Sequence, residues 1–466
     1  MNFNKKLAVA VSGAVMLMAG QFALADSTSD IVDALVGKGV LTEEEGKLIT
    51  KGHESAKSKA AKVVDKNGAL SLSSADGNSS IAVSGRIQLD SRHYSDDNLR
   101  NDSAADGFNV RRAYIGVSGN IKKYYDYKLV LNLANPDQPS SSLGTGANSN
   151  QMDEAYFGIN YWKQASFRFG QQKMPFSLEE QTSSRFIDFQ ERSMLNKMVP
   201  GKEVGAQIHG VFDNGIFYGA ALSTGEGLSK VEGNTADSND VIGRIGINLA
   251  TAMGVDKENV YHFAIAGSAG SQGNTSLSAA YNPEDKGASF ISSSDSAITG
   301  KRDRLGLEGA IALGSVKLQS EWMQHSYNSI SQVKSTAVSN GSADLDGYYV
   351  SASWFITGEK YASSYKGGKF DRINPLRDFN PDDISKGYGA WEIGARYSEI
   401  DASEILNLVA SNSSMYSKAQ AYTVGLKWIP TPYVRVLLNY VDTEGEKVSG
   451  ATLDQKAVTL RTQLDF

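Results

Sequence analysis

The 466-residue chain contains no cysteine and only nine prolines. The lack of cysteine excludes disulfide bonds, thiolate chemistry and zinc sites built on cysteine. After the first 25 residues, no apolar run approaches the roughly 20 residues that a membrane-spanning helix requires. Basic residues are also in the minority, because 46 lysines and arginines face 52 aspartates and glutamates. The resulting net charge of −6 does not favour a nucleic-acid partner.

The N-terminus has the features of an exported protein. Lys5 and Lys6 precede an apolar stretch that ends at Gly20, and the small residues Ala23 and Ala25 suit a cleavage site. Residues 1–25 are therefore predicted to be a secretory signal peptide, so that the mature chain begins at Asp26. Export without disulfides requires stability from backbone pairing and burial, which a closed sheet supplies.

Residues 26–66 differ in kind from the rest of the chain. Apolar residues recur at helical spacing, and Thr42 to Glu45 form a capping box that starts a second helix after a glycine break. The apolar stripe is narrow, and it suits either a small coiled coil or docking at the mouth of a barrel. Residues 67–79 are small and polar and are predicted to be a linker.

From residue 80 to residue 466 the chain alternates apolar and polar residues. In one example, Val436 and Leu438 alternate with Arg435 and Asn439. Successive side chains of a strand point to opposite faces, so one face is apolar in strand after strand. That face is either the core of a soluble sandwich or the lipid-facing surface of a membrane barrel, and alternation alone does not separate the two.

The lengths of the connections do separate them. Tight turns are predicted at Gly119 to Lys123, Trp162 to Gln164, Asp213 to Gly215, Gly314 to Ser315 and Pro430 to Pro432. Long connections are predicted at Ser95 to Gly107, Asn135 to Gln151, Thr224 to Asp240, Ser268 to Arg302, Asn328 to Leu345, Asp401 to Ser417 and Thr443 to Gln455. Short turns on one rim and long loops on the other are typical of outer-membrane barrels, as is a last strand that ends in an aromatic residue, here Phe466. We count sixteen antiparallel strands, provided that Thr275 to Tyr281 belongs to a loop and Gly358 to Tyr388 is an unusually long periplasmic connection.

Residues 173–202 form a long insert between two alternating segments. An irregular connection of this length, about 30 residues, is uncommon and usually functional. The insert mixes charges of both signs with an apolar minority. Its cations include Lys173, Arg185, Arg192 and Lys202, and its anions include Glu179, Glu180, Asp188 and Glu191. We predict a constriction loop folded into the pore, with an ordinary extracellular loop as the alternative.

The face opposite the apolar one would line the lumen. By this rule the lumen carries eleven cations: Arg86, Arg112, Lys128, Arg168, Arg244, Arg304, Lys317, Arg396, Lys427, Arg435 and Arg461. It carries eight anions: Asp90, Asp126, Glu154, Glu203, Glu308, Glu321, Glu392 and Asp465. Such a cationic lining favours anions. In the alternative, arginine and glutamate pair across strands and set no selectivity.

Arg111 and Arg112 are adjacent, so a regular strand would point one of them at lipid. A charge in the middle of the bilayer costs about 2–4 kcal/mol. Either Arg111 lies at the rim, or a bulge turns both guanidiniums inward, where they would suit an oxyanion such as phosphate.

Six stretches resemble the porin O and P family of outer-membrane porins, whose best-known members select phosphate or polyphosphate. They are Asp106 to Ala113 (DGFNVRRA); Gly170 with Lys173 to Glu179 (KMPFSLE); Glu191 to Ser193 (ERS) before Pro200 to Lys202 (PGK); Trp354 to Glu359 (WFITGE); Gly389 to Glu392 (GAWE) with Ala395 to Ser398 (ARYS); and Trp428 to Pro432 (WIPTP). The resemblance implies a sixteen-stranded barrel, usually trimeric, with a constricting third loop and an arginine ladder. Arg111 and Arg112 match the arginine pair of the phosphate channels.

We therefore predict a homotrimeric porin in the outer membrane of a Gram-negative cell, in contact with lipid, that passes small anions such as phosphate or polyphosphate. The alternative is a general, weakly selective porin of the same fold. An adhesive role of the long loops stays open. An enzyme would need one of five histidines, and His209 and His262 face the lumen, but no serine or carboxylate at an informative spacing accompanies them. No catalytic residue, cofactor or metal site is predicted.

Overall fold

The computed structural model describes residues 27–66, 69–95, 106–134, 152–225, 227, 239–254, 258–276, 283–287, 297–333, 336–404 and 416–466. The predicted signal peptide, 1–25, lies outside the described residues. The chain divides into two compact units, residues 1–64 with 72–80 and residues 65–71 with 81–466.

The first unit contains two helices, Ser27–Gly37 and Glu43–Lys59. The capping box is confirmed, because the Thr42 backbone N–H donates to Glu45 Oε2 at 2.9 Å and the Glu45 N–H donates to Thr42 Oγ1 at 3.2 Å. The helices approach closely at Gly46, where an added Cβ would lie 2.7 Å from Val36 Cγ2. No helix in the described part of the chain is long and apolar enough to cross a membrane. The coiled coil stays a prediction.

The second unit is a closed antiparallel barrel, which confirms the predicted fold class. The strands of the described chain are β1 (Lys62–Lys66), β2 (Ala69–Ser73), β3 (Ser80–Ser95), β4 (Gly107–Ile121), β5 (Tyr125–Asn132), β6 (Met152–Trp162), β7 (Ala165–Lys173), β8 (Lys202–Val211), β9 (Ile216–Ser223), β10 (Asp240–Asn248), β11 (Asn259–Ser276), β12 (Ala297–Leu313), β13 (Val316–Val333), β14 (Thr336–Phe355), β15 (Tyr365–Lys366), β16 (Lys369–Phe370), β17 (Ala390–Asp401), β18 (Tyr416–Thr431), β19 (Val434–Lys447) and β20 (Thr452–Asp465). Sixteen of them, β3 to β14 and β17 to β20, form the barrel, and β20 pairs with β3, with Leu464 opposite Ile87. Short helices cover Leu178–Gln181 and Leu249–Met253, and 3-10 turns cover Met194–Lys197 and Tyr361–Ser364.

Several strands are longer than the sequence suggested. β13 and β14 pair as far as Val333 opposite Thr336, so the long connection predicted at 328–345 is wrong. The long connection predicted at 443–455 is also mostly strand. Thr275, which was expected to lie in a loop, belongs to β11, which continues to Ser276. The predicted linker, 67–79, includes strand β2. Beyond the apolar belt both faces of a strand are polar, so such extensions lack the alternation that marks a strand in sequence. The count of sixteen stands because β14 pairs with β17.

The two faces of the barrel wall follow the predicted alternation. On β19, Leu438 is 43% exposed on the outside, whereas Arg435 and Asn439 are buried on the inside. The same holds on β20 for exposed Leu460 beside buried Arg461. The outer face is apolar, and charged side chains are collected within the barrel.

Loop 173–202 lies inside the barrel. It leaves β7 at Lys173 and enters β8 at Lys202, and its apolar side chains form one core with inward residues of β9 to β18. The loop members of that core are Met174, Phe176, Met194, Leu195, Met198 and Val199. Inward glycines allow this approach, because a Cβ at Gly219 would lie 2.7 Å from Pro175 and one at Gly306 would lie 2.9 Å from Phe176.

A second segment, 356–389, also folds inward from the rim with the short turns. The Tyr365 hydroxyl lies 2.7 Å from His262 Nδ1, and Arg244 donates to the Gly368 carbonyl at 3.0 Å. Its apolar residues pack with Leu178 of loop 173–202. The sequence indicated the unusual length of this connection but not its inward path.

Arg396 on β17 joins loop 173–202 to a third inward stretch, residues 283–287. The Arg396 guanidinium donates to Glu179 Oε1 at 3.1 Å. Its Nε donates to Glu284 Oε2 at 3.0 Å. It also donates to the Glu191 carbonyl at 3.1 Å. Arg396 therefore holds two inward segments against the wall.

Leu438→Arg tests the orientation of the wall. We expect stability in a phospholipid bilayer to fall by about 2–4 kcal/mol, because a guanidinium near mid-bilayer is poorly solvated. Denaturant unfolding in lipid vesicles, followed by tryptophan fluorescence, measures the change. Leu438→Met should unfold like the parent protein, and equal curves for the two variants would contradict the assignment of this face to lipid.

Arg396→Gln tests the contact between the segments. It leaves Glu179 and Glu284 buried without their guanidinium, so we expect a loss of about 3–5 kcal/mol in the same unfolding measurement. Arg168→Gln is the control, because the nearest Asp126 oxygen is 3.9 Å away and both side chains are partly exposed. It should cost no more than about 1 kcal/mol. Similar losses for both variants would show that Arg396 has no special part.

Candidate functional site

The interior of the barrel is filled on one side and open on the other. Loop 173–202 packs as a protein core against β9 to β18. A cavity of about 550 Å³ lies between the loop and the walls β3 to β6. Its lining residues are Ser84, Arg86, Arg112, Tyr114, Ser118, Lys128, Val130, Asp153, Glu154, Lys173, Glu180, Gln181, Ser183, Ser184, Arg185, Phe186, Arg192, Asn196, Gly201, Lys202 and Lys369.

The lining of this cavity is rich in cations. Eight lining residues are arginine or lysine and three are aspartate or glutamate, a difference of five positive charges. The three acids are all engaged. Lys128 forms an ion pair with Glu154, and Lys202 forms one with Asp153. The Glu180 carboxylate forms ion pairs with Arg192 at 3.1 Å and with Lys173 at 3.4 Å.

Three lining cations have no carboxylate within ion-pair distance among the described residues: Arg86, Arg185 and Lys369. Arg86 donates to Ser184 Oγ at 2.8 Å and lies over the Tyr114 ring at 4.2 Å, while its Nε finds no partner in the described chain. These charges come from the wall, from loop 173–202 and from segment 356–389 respectively. Arg86 is buried, Arg185 is half-buried and Lys369 is exposed. An unpaired buried charge is costly, so the position of the Arg86 guanidinium beside an open cavity is informative.

Lys369 and Asp153 were missed by sequence reasoning. Lys369 follows a turn at Gly367 and Gly368, which have φ of 57° and 78°, in a segment outside the barrel wall. Asp153 precedes Glu154 on β6, where the register with β5 shifts between Val130 and Leu131. A bulge there brings two adjacent carboxylates to the lining, which strict alternation does not allow. The unusual length of the 356–389 connection was the only sequence signal for Lys369.

Arg111 and Arg112 both point inward, and they hold a carboxylate of the chain itself. Arg111 Nε donates to Glu191 Oε1 at 2.9 Å, and Arg112 contacts the two Glu191 oxygens at 3.5 and 3.4 Å. Arg461 donates to Glu191 Oε1 at 2.6 Å. Burial alone would raise the pKa of Glu191, but the three guanidiniums hold that pKa well below its usual range. Of the two alternatives for Arg111, the inward one is found, with Glu191 where an oxyanion was expected.

Other predicted lining cations lie in ion pairs away from this cavity. Arg244 contacts Glu308 at 2.9 and 2.6 Å, Arg304 contacts Asp240 at 2.9 Å, and Arg435 contacts Asp465 at 2.8 Å. Arg396 is engaged as described above, and Arg168 lies 3.9 Å from Asp126 and over the Tyr156 ring. Pairing offsets the cost of burying these charges. Pairing between cations and carboxylates of the wall, one of the two alternatives, thus describes these residues.

The histidines form no catalytic arrangement in the described structure. His262 contacts Tyr365 and, at 3.3 Å, Glu308, and His209 Nε2 is buried without a described partner. No group of three or more histidine, aspartate or glutamate side chains in the described ranges is placed to hold a metal ion.

Solved structures of outer-membrane channels share this fold. The outer-membrane channel DcaP of Acinetobacter baumannii matches with a TM-score of 0.53 and 11% identity over 84% of this chain and 98% of that chain. An anion-selective porin from Comamonas acidovorans matches with a TM-score of 0.50 and 13% identity over 83% of this chain and all of that chain. At these identities the likeness concerns the fold alone.

Sequence comparison identifies the family. The model of the family described as "Phosphate-selective porin O and P" matches residues 81–466. Porin O of Pseudomonas aeruginosa is 24% identical over 434 residues, which cover 87% of this chain and 92% of that protein. The chain therefore belongs to the phosphate-selective porin O and P family, and it is an outer-membrane porin, a channel without enzymatic activity.

Proposed function

We propose that the porin passes small anions, phosphate or polyphosphate first among them, through the cavity beside loop 173–202. The observation that carries the proposal is the set of three lining cations without a described carboxylate partner, Arg86, Arg185 and Lys369. Cations in a water-filled pore with low-dielectric walls raise the local concentration of anions. Guanidinium and ammonium groups bind phosphate oxygens by charge-assisted hydrogen bonds. The name of the family, which refers to phosphate selectivity, supports the same choice.

A general, weakly selective porin is the second candidate. Asp153, Glu154 and Glu180 favour it, because each brings a negative charge to the lining and neutralises a neighbouring lysine or arginine. The two candidates differ in whether phosphate, at low concentration, blocks the current carried by chloride. A homotrimer in the outer membrane, export by the signal peptide and a coiled coil at residues 26–66 remain part of the proposal.

The triple variant Arg86→Gln, Arg185→Gln and Lys369→Gln tests the anion site. A hydrogen bond to a charged group contributes about 1.5–3 kcal/mol, so we expect the phosphate concentration for half-block of the current to rise at least tenfold. The reversal potential in a KCl gradient should move from the anion-selective side toward zero. Both are measured with purified protein in planar bilayers.

The control is the double variant Lys128→Gln and Glu154→Gln, which removes one cation and one anion from the same cavity. Its reversal potential should match that of the parent protein, because the net lining charge is unchanged. If the parent protein has a reversal potential near zero and phosphate does not block its current, the anion-channel proposal is wrong and the general porin is favoured.

A further inference from the structure

Glu321 on β13 is a buried carboxylate of the inner wall, with 1% of its surface exposed. The residue directly opposite it on β12, Glu308, is also a carboxylate, and Arg244 compensates the charge of Glu308 at 2.6 Å. Among the described residues, no lysine or arginine forms an ion pair with Glu321. A carboxylate that is buried without a cation requires hydrogen-bond donors in place of the water it has lost. The stability of Glu321 in the wall therefore depends on the donors around it.

Two of these donors belong to the backbone of loop 173–202. The Leu178 N–H donates to Glu321 Oε2 at 3.1 Å, and the Glu179 N–H donates to Oε1 at 2.8 Å. The third donor is the hydroxyl of Tyr349, directly opposite on β14, which donates to Oε1 at 2.7 Å. The Tyr349 oxygen accepts from Gln319 Nε2 at 2.5 Å, which leaves the hydroxyl proton for Glu321. The wall carboxylate and the loop backbone thus satisfy each other.

The loop reaches Glu321 through a strained residue. Ser177 has φ of 62° and ψ of 128°, a conformation that residues other than glycine adopt only where the surroundings impose it. The two N–H groups that donate to Glu321 follow directly after Ser177. The Ser177 hydroxyl also accepts from the Glu180 N–H at 3.1 Å. The backbone is therefore strained at the point where it presents two donors to the wall carboxylate.

The segment that Glu321 holds also borders the open cavity. Residues 174–182 follow β7, and within this segment Met174, Phe176 and Leu178 are buried. In the same segment, Glu180 and Gln181 line the cavity. The position of residues 174–182 relative to β13 therefore sets the width of the open side of the lumen.

We propose that Glu321 is a positioning residue of the channel, which holds residues 174–182 against β13 and so keeps the open side of the lumen clear. A released segment would move toward the cavity, because the wall from β9 to β18 lies behind it. Such a local opening requires less free energy than unfolding of the whole barrel. The role of Glu321 concerns the width of the channel and not the choice of solute, so it applies to either candidate function.

Glu321→Gln tests this role, because the amide keeps the shape of the side chain but only its oxygen accepts, so that one loop N–H loses its partner. Leu178→Cys reports on the segment as the only thiol in a chain without cysteine, at a position that is buried in the parent protein. In lipid vesicles, we expect a water-soluble maleimide to label this thiol at least about tenfold faster with Glu321→Gln than without it, the factor for loss of one hydrogen bond to a charged group. Single-channel recordings of Glu321→Gln in KCl should show added brief closures and a lower mean conductance.

Glu308→Gln is the matched control. It removes the same charge from the opposite residue on β12 and breaks the ion pair with Arg244, but the described structure gives Glu308 no hydrogen bond to loop 173–202. This variant should unfold more easily than the parent protein and yet keep the parent labelling rate and conductance.

Equal changes in the two variants would indicate a general loosening of the barrel and overturn the proposal. An unchanged labelling rate or a higher conductance in Glu321→Gln would overturn it as well. If Glu321→Gln does not fold, Tyr349→Phe decides by the same measurements, because it removes one donor from the carboxylate and should also raise the labelling rate. Chloride carries the measured current, so these results stay distinct from any failure of phosphate to block the channel.

Discussion

In a bilayer every backbone N–H and C=O group must find its partner within the protein, and a closed barrel meets that requirement with strands. Closure fixes which side chains point outward, and lipid outside forces charged side chains inward. Because an unpaired buried charge is costly, the charged side chains collected in the interior must form ion pairs. Loop 173–202 contributes to that pairing, because Glu179, Asp188 and Glu191 find partners on the wall. The inward path of the loop is a consequence of barrel closure as much as of the loop sequence.

The requirement that charges inside the barrel be paired also divides the lumen into a filled side and an open side. Where the wall offers alanine, glycine and paired charges, the apolar side chains of the loop pack against it as a core. Where the wall offers arginine, lysine and serine, the loop presents Ser183, Ser184 and Arg185, and a cavity remains. Selectivity in this porin is therefore expected to depend on one side of the lumen, while the other side contributes stability.

Alternation together with the lengths of the connections was sufficient for the fold class. Alternation was sufficient for the strand faces, and the motif from Thr42 to Glu45 was sufficient for the capping box. Alternation placed Arg86 on the lumen face, and the length of insert 173–202 made Arg185 a candidate near the pore. Neither signal identified Lys369, because nothing local shows that the connection after β14 turns inward. Nor did alternation show which cations find a partner. Parity places Arg244 and Arg86 on the same inner face, but only the three-dimensional register sets Arg244 against Glu308 and leaves Arg86 beside the cavity. The bulge at Asp153 breaks the rule of alternation itself, and so do the adjacent Arg111 and Arg112, which both point inward.

Arg461 lies on the last strand of the chain, opposite Asp90 on the first strand of the barrel. Because Glu191 is held by Arg461 together with two arginines of β4, its full set of partners exists only after the two ends of the sheet have met. The final position of the loop is thus coupled to closure of the barrel. A barrel in which β20 has not paired with β3 would lack the full set of contacts that holds Glu191 at the wall.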